Sequence, residues 1–133
     1  MILSNIFKYI SINAKNNDGD TALILASRCI HINIVKLLLK FKANSNVKNN
    51  DGYTALTLAS INGYTDIVKI LLKNKANIDA KTNDGYTALM FASFNEHKDI
   101  VKLLRNEHIR LIKRSIGDTF CLDINGVIAK YLY

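Results

Sequence analysis

Residues 50–72 read NDGYTALTLASINGYTDIVKILL, and the chain carries this stretch nearly three times. An earlier copy begins at Asp18 with DGDTALILA and continues at Ile34 with IVKLLL. A later copy begins at Asp84 with DGYTALMFA and continues at Ile100 with IVKLL. The step between copies is 33 residues in both directions. A fixed period of about 20 to 50 residues predicts a stacked repeat architecture, in which each unit buries its apolar face against the next.

Within the central copy, the residues predict a turn followed by two short helices. Asn50–Gly52 is a turn signal, because Asn and Asp side chains bond to nearby backbone groups and glycine accepts a positive φ. Thr54 stands where a helix N-terminus needs a side-chain oxygen, and Gly63 where a helix ends in a left-handed residue. Thr65–Asp66 predicts the start of a second helix. The apolar arc of that helix is too wide for a lone amphipathic helix, so we expect neighbours on two sides.

This turn-helix-helix unit resembles the ankyrin repeat. The family pattern, roughly DGxTPLHLA, GHxEIVxLLL and GADVNAK, is matched in the central copy by DGYTALTLA, GYTDIVKILL and KANIDAK. The resemblance implies an all-α ankyrin-repeat solenoid of paired antiparallel helices with hairpin-like turns. It implies an N-terminal half repeat over residues 1–16 as a cap, repeats over 17–49, 50–82 and 83–115, and a C-terminal segment over 116–133. The apolar residues Ile2, Leu3, Ile6 and Phe7 fall in the register of a second helix within that cap.

Departures from the family pattern predict a stack less rigid than the family consensus. Alanine replaces the family's proline at Ala22, Ala55 and Ala88, and the turn-bracing histidine is replaced by Ile24, Thr57 and Met90. Lys42 and Lys75 stand after the second helix, where the family has a glycine at positive φ. A non-glycine residue in that conformation costs about 1 kcal/mol.

Composition and charge indicate a folded protein with a basic surface. Of the 133 residues, 49% are hydrophobic and 22% charged, which differs from the composition of disordered chains. The net charge of +7 favours encounter with acidic partners. Cys29 and Cys121 form no metal-binding pattern and predict two reduced thiols in the cytoplasm. Met1–Ile10 does not read as a signal peptide, and no apolar run approaches the ~18 residues of a membrane span, so we expect no membrane partner.

The C-terminal segment predicts a separate amphipathic helix after a break at Gly117–Thr119. Its spacing is similar to F-box-like segments that follow ankyrin repeats in poxvirus proteins and recruit a host ubiquitin-ligase adaptor. That resemblance selects Phe120, Leu122, Ile124, Ile128, Tyr131 and Leu132. The alternative is a helix that caps the apolar face of the third repeat. The Asn/Lys/Ile-rich, proline-free style resembles ankyrin proteins of large DNA viruses, which implies the host cytoplasm, although intracellular bacteria and protists share the style.

The sequence contains no recognisable catalytic, cofactor-binding or metal-binding pattern. The phosphate-binding, zinc-protease and serine-hydrolase motifs are all missing. His31 and His97 occupy the family's own loop-histidine position, and Asp18, Asp51 and Asp84 each precede a turn glycine. We therefore expect structural roles for these residues, and no enzyme, cofactor or metal site.

The surface, in contrast, offers side chains that recur every 33 residues. In the family, the hairpin tips and the exposed side of the first helix contact the partner on a concave face. Carried over by position, this selects Asp20, Arg28, Lys48, Tyr53, Ile61, Asn62, Lys81, Tyr86, Phe94 and Asn95 as partner-binding residues. Aromatic residues in a polar rim are frequent carriers of binding energy. The alternative is that these aromatics only stabilise the stack.

The lysines of the links predict a partner with an acidic patch. Lys15, Lys48 and Lys81 recur at one position of the repeat and favour an acidic surface. Nucleic-acid binding is the weaker alternative, because the sequence shows no basic helix and no aromatic-basic RNA motif. The identity of the partner and the oligomeric state stay open.

Overall fold

The computed structural model describes the backbone of residues 11–132 and the side chains of residues 11–116. Within that backbone there are six α-helices and no β-strand. The first repeat contributes α1 (Ala22–Arg28) and α2 (Ile32–Lys40), the second α3 (Ala55–Asn62) and α4 (Thr65–Lys73), and the third α5 (Ala88–Phe94) and α6 (Lys98–Leu132). The predicted all-α repeat fold is confirmed. Of the predicted N-terminal cap, residues 1–10, with Ile2, Leu3, Ile6 and Phe7, lie outside the described residues.

The helices form two layers. The first helices α1, α3 and α5 contact one another in succession, and so do the second helices α2, α4 and α6. Within each repeat the first helix packs on the second. A continuous core runs between the layers, with Leu56, Ile67, Leu71, Ile100 and Leu104 all almost fully buried. Helix α4 contacts α2, α3 and α6, so the predicted cover of the central second helix by neighbouring repeats is confirmed.

Each first helix is capped by a threonine that directly precedes its first residue. Thr21, Thr54 and Thr87 accept hydrogen bonds from the backbone N–H three residues later, as the sequence predicted for Thr54. In the second repeat the Thr57 hydroxyl also accepts from the Thr54 N–H at 2.7 Å, which completes a reciprocal cap. Helix α3 ends at Gly63 with φ 76°, which confirms the predicted left-handed residue. The second helix begins at Thr65 as predicted, but its cap residue is Tyr64, and no side-chain oxygen caps it.

The hairpin turns are held by asparagines at two positions. The Asn49 Oδ1 atom accepts from the N–H groups of Asp51 and Tyr53, so the turn is closed by the residue before the predicted turn signal. The Asn50 Nδ2 atom instead reaches the previous repeat and donates to the Asn17 carbonyl at 2.9 Å. The second asparagine of the turn therefore joins neighbouring repeats, a role that the turn signal alone did not predict.

Four non-glycine residues in the described backbone have a positive φ. Lys42 (66°) and Lys75 (63°) are the two predicted from the family pattern, and this prediction is confirmed. Ile30 (57°) and Glu96 (58°) occupy the position of Gly63 in the first and third repeats. Each such residue costs about 1 kcal/mol, so the stack tolerates strain at both ends of its second helices.

Helix α6 departs from the prediction. The sequence predicted a break at Gly117–Thr119, but the backbone is helical without interruption from Lys98 to Leu132. Because the chain contains no proline, every backbone N–H in this stretch can join the helical ladder, and its two glycines, Gly117 and Gly126, cost only about 1 kcal/mol each. At 1.5 Å per residue the 35 residues extend about 50 Å. The third repeat and the C-terminal segment therefore share one helix.

Two buried serines give a first testable prediction. Ser27 and Ser60 are fully buried, and among the described residues neither hydroxyl has a hydrogen-bond partner. Because an unpaired buried hydroxyl costs about 1–3 kcal/mol and alanine favours the helix, we expect Ser60→Ala to raise the free energy of unfolding by about 1 kcal/mol. Urea denaturation measures this change. Ser93, the exposed counterpart in the third repeat, is the matched control, and Ser93→Ala should change stability by less than about 0.5 kcal/mol. A loss of stability in Ser60→Ala would contradict the prediction.

Candidate functional site

Four aromatic side chains from the second and third repeats form a cluster, here called the aromatic patch: Tyr53, Tyr86, Phe91 and Phe94. The Phe91 ring lies 5.9 Å from that of Tyr53 and 5.6 Å from that of Tyr86, measured between ring centroids. Tyr86 and Phe94 meet edge to face at 6.3 Å. Pairs in this range are worth about 0.5–1.5 kcal/mol beyond the area that they bury. The patch is therefore a connected aromatic surface that spans two repeats.

The local sequence explains how the patch forms. Tyr53 and Tyr86 directly follow the turn glycines, so the hairpins project them, and Phe91 and Phe94 lie three residues apart on one side of α5. Phe94 is 74% exposed and Tyr86 42%, whereas Tyr53 and Phe91 are half-buried. The sequence prediction selected the other three but missed Phe91, which links them. Its equivalents are Leu25 and Leu58, and the change to an aromatic residue in that position was the available signal.

Asp20 and Arg28, predicted as displayed partner-binding residues, bind each other. The two terminal guanidinium nitrogens of Arg28, Nη1 and Nη2, donate to the Asp20 carboxylate at 2.9 and 3.2 Å, and Asn49 Nδ2 donates to the same group at 2.9 Å. Asp20 is only 3% exposed, so the expectation that its side chain is displayed at the tip is wrong. The spacing of eight residues across the turn and α1 allows this pairing. Arg28 keeps a side-chain exposure of 40%.

Two lysines of the predicted row form hydrogen bonds between neighbouring repeats. Lys15 Nζ donates to the Lys48 carbonyl at 3.0 Å, and Lys48 Nζ donates to the Lys81 carbonyl at 2.8 Å. Each ammonium thus joins its link to the next one while staying exposed to solvent. Lys81 is also exposed. The row keeps its charge at the surface but is held in place by backbone contacts.

The remaining predicted residues lie at the ends of the first helices. Ile61 is half-buried, and Asn62 and Asn95 are exposed. The Ile61 carbonyl accepts from Asn95 Nδ2 at 3.2 Å and lies 3.0 Å from His97 Nε2. His97 therefore joins the second and third repeats, as expected for a structural histidine.

The titratable residues of the described part make separate contacts and do not form a metal-binding group. His31 is exposed, and His108 Nε2 lies 2.9 Å from Asp79 Oδ1, a contact between α6 and the link before the third repeat. Within the described side chains, no group of three or more His, Cys, Asp or Glu residues can hold a metal ion. Cys29 is a free, exposed thiol. No helix in the described part is long and apolar enough to cross a membrane.

The described side chains of helix α6 form a basic segment. Residues 98–116 contain six Lys or Arg and two acidic residues, a net charge of +4. Arg110 donates two hydrogen bonds to Glu107, and these bonds lower the pKa of the Glu107 carboxyl. The assumption that the chain lacks a basic helix is therefore wrong. The ligase-adaptor candidates Phe120, Leu122, Ile124, Ile128, Tyr131 and Leu132 follow on the same helix, but their side chains lie outside the described residues.

Comparison with known proteins identifies the repeat. The family model described as ankyrin repeats (3 copies) matches residues 2–82 and 42–115. No curated protein sequence matches the chain significantly. Repeats of this family generally mediate protein–protein interaction, and domains built from them are typically not enzymes. The match covers most of the 133 residues. The chain belongs to the ankyrin-repeat family.

Proposed function

We propose that this chain is a non-enzymatic interaction module that binds a protein partner through the aromatic patch on its concave face. The observation that carries the proposal is the exposure of Phe94 (74%) and Tyr86 (42%) within a connected aromatic cluster. Phe94 contributes most of its surface to solvent and little to the core, so stability of the stack does not require an aromatic residue there. Exposed aromatics of this kind commonly dominate binding energy when a partner covers them.

Polar residues around the patch suit an acidic partner. Lys48 and Lys81 lie in the links beside the turns and keep their ammonium groups at the surface, where they steer encounter with negative charge. Asn62 and Asn95 are exposed at the ends of α3 and α5 and supply a polar rim. Arg28, one repeat away, extends the rim, whereas Asp20 neutralises part of its charge.

A double variant tests the proposed surface. Tyr86→Ala with Phe94→Ala should weaken capture of the chain's protein partners at least about tenfold and leave helical circular dichroism unchanged, because both side chains are exposed. The measurement is quantitative comparison of proteins captured from a cell extract by immobilised wild type and variant. Phe41→Ala is the matched control, since Phe41 is 59% exposed just after α2, away from the patch. Equal capture by wild type and the double variant would place the binding site elsewhere.

An adaptor that recruits a ubiquitin-ligase component through residues 120–132 is the alternative function. It is supported by the F-box-like spacing, by the continuation of α6 through these residues and by the exposure of residues 109–115, which precede them on the same helix. A helix that serves as an adaptor is separable from the stack, whereas a cap is not.

Deletion of Phe120–Tyr133 distinguishes the adaptor from a cap. For an adaptor we expect the thermal midpoint to change by less than about 2 °C, because the removed part makes no essential contact with the repeats. Binding of a purified ligase adaptor should be lost in the same variant. A large fall of the midpoint would support the cap instead.

Nucleic-acid binding stays the weakest alternative. The basic face of α6 supports it, but exposed isoleucines are interspersed among its cations. A shift assay at low salt, repeated at rising salt, tests it through the counterion release that phosphate contacts cause. The cytoplasm, that of the host cell if the chain is viral, remains the proposed location, which imaging of a tagged full chain would check.

A further inference from the structure

The third repeat, at the C-terminal end of the stack, has a groove on its outer side. It has a volume of about 620 Å³ and lies between the end of α5 and the outer side of α6. Ser93 and Glu96 line one side, and Val101, Arg105 and Ile109 line the other. The groove is distinct from the aromatic patch, none of whose four residues lines it.

The equivalent surface of the second repeat is interior. Ser60 and Val68 are fully buried because the third repeat packs over them. Their counterparts Ser93 and Val101 are exposed and half-buried, respectively. The groove is thus a copy of the surface with which this stack binds its own next helix pair. No helix pair follows the third repeat in the described backbone, because α6 continues to Leu132.

The apolar lining continues along α6 beyond the groove. Ile109 and Ile112 lie eight and eleven residues after Val101. In a helix of 3.6 residues per turn, these spacings place the three side chains within roughly 80° of one another around the axis. Ile109 is 51% exposed and Ile112 57%. Ile100 and Leu104, on another side of the helix, are buried in the stack. An apolar stripe of this kind along one side of a helix can bind the apolar face of one partner helix.

Charge selects the partner. Lys98, Lys102 and Arg105 line the groove with a single acidic residue, Glu96. A second copy seated symmetrically would bring these cations together, and each copy carries a net charge of +7. Nucleic acid would meet the cations but leave the isoleucines of the stripe without apolar contacts. We propose that this groove and stripe bind an amphipathic helix of a partner protein whose apolar face is flanked by Asp and Glu.

A display library of helices tests the proposal. The peptides are about 20 residues long, matching some 30 Å of helix, with leucine along one face and Glu, Gln or Lys randomised at the flanks. Selection on the intact chain should enrich Glu at the flanks. The enriched peptides, measured by fluorescence anisotropy, should bind Ile109→Asp and the double variant Lys102→Glu with Arg105→Glu at least about tenfold more weakly. All three residues are exposed, so we expect the variants to fold.

Two controls separate this surface from others. Lys69 is the exposed counterpart of Lys102 in the second repeat, and Lys69→Glu reverses its charge. This variant should keep the affinity for the enriched peptides within about twofold. Tyr86→Ala with Phe94→Ala should also leave it unchanged, so failure of the groove and failure of the aromatic patch are distinguishable. Enrichment of Gln or Lys, or equal binding by Ile109→Asp, would overturn the proposal. It would also be overturned if light scattering showed a dimer that Ile109→Asp dissociates, or if duplex DNA displaced the acidic peptides.

Discussion

Replacing Ile67 with alanine is expected to lower the free energy of unfolding by about 2–5 kcal/mol. Ile67 lies on α4 and is completely buried in the core cluster of the stack. Removing three carbons there leaves a cavity that α2, α3 and α6, which all pack on α4, cannot close without moving. Since a repeat is held by its interfaces with its neighbours, the loss weakens the central repeat on both sides.

The repeat supplies a matched control for this prediction. Ile34 and Ile100 occupy the same position in the first and third repeats, but Ile34 is 47% exposed and Ile100 is completely buried. Ile100→Ala should therefore resemble Ile67→Ala, whereas Ile34→Ala should cost less than about 1 kcal/mol. Urea denaturation followed by circular dichroism and by tyrosine fluorescence measures all three, since the chain has no tryptophan. Equal losses at Ile34 and Ile67 would show that burial by neighbouring repeats is not what stabilises this position.

The same position shows how far the sequence predicts the fold. The period of 33 residues identified the repeats, and the local sequence of the central copy predicted the capping Thr54 and the left-handed Gly63, because these depend on local chemistry. The left-handed Ile30 and Glu96 were not predicted. Identical letters at Ile34 and Ile67 did not predict their different burial, since burial depends on which neighbour covers the residue. The continuity of α6 was missed for a related reason. A glycine lowers helix propensity, but its effect depends on the turns on either side.

The sequence predicted part of the candidate site. Tyr86 and Phe94 follow from the position pattern, and the structure places them in contact. Phe91 was not predicted, because the residues at its position in the other two repeats, Leu25 and Leu58, are aliphatic. The position pattern predicts a displayed side chain at Asp20, but its partners Arg28 and Asn49 come from α1 and from the next turn. A contact that spans 29 residues, such as Asn49 with Asp20, is not encoded in any local pattern.

Replacing Gly52 with alanine is expected to cost about 2–4 kcal/mol of stability, and the contact between turns explains why. Gly52 has φ 85°, and a Cβ atom there would lie 2.7 Å from the Asn83 backbone nitrogen and 2.8 Å from Asn83 Oδ1. Asn83 uses its backbone N–H to bond the Asp51 carbonyl and its side-chain amide to bond the Asn50 carbonyl. The added methyl group therefore has two costs. It strains the backbone at positive φ, and it displaces the hydrogen bonds that join the second and third turns.

Gly85 separates these two costs. It has the same φ of 85° in the third repeat, but among the described residues other than Gly85 and its two chain neighbours no atom lies within 4 Å of the point where its Cβ atom would stand. Gly85→Ala should therefore lose only the conformational contribution of about 1 kcal/mol, and the difference between the variants measures the clash with Asn83. Tyr53 and Tyr86 directly follow Gly52 and Gly85, but only the methyl group added at Gly52 meets a neighbouring turn. Gly52→Ala should therefore displace Tyr53 and weaken partner capture more than Gly85→Ala does. Equal unfolding midpoints for the two variants would mean that the turns shift without loss, and that the asparagine bonds contribute little to the stack.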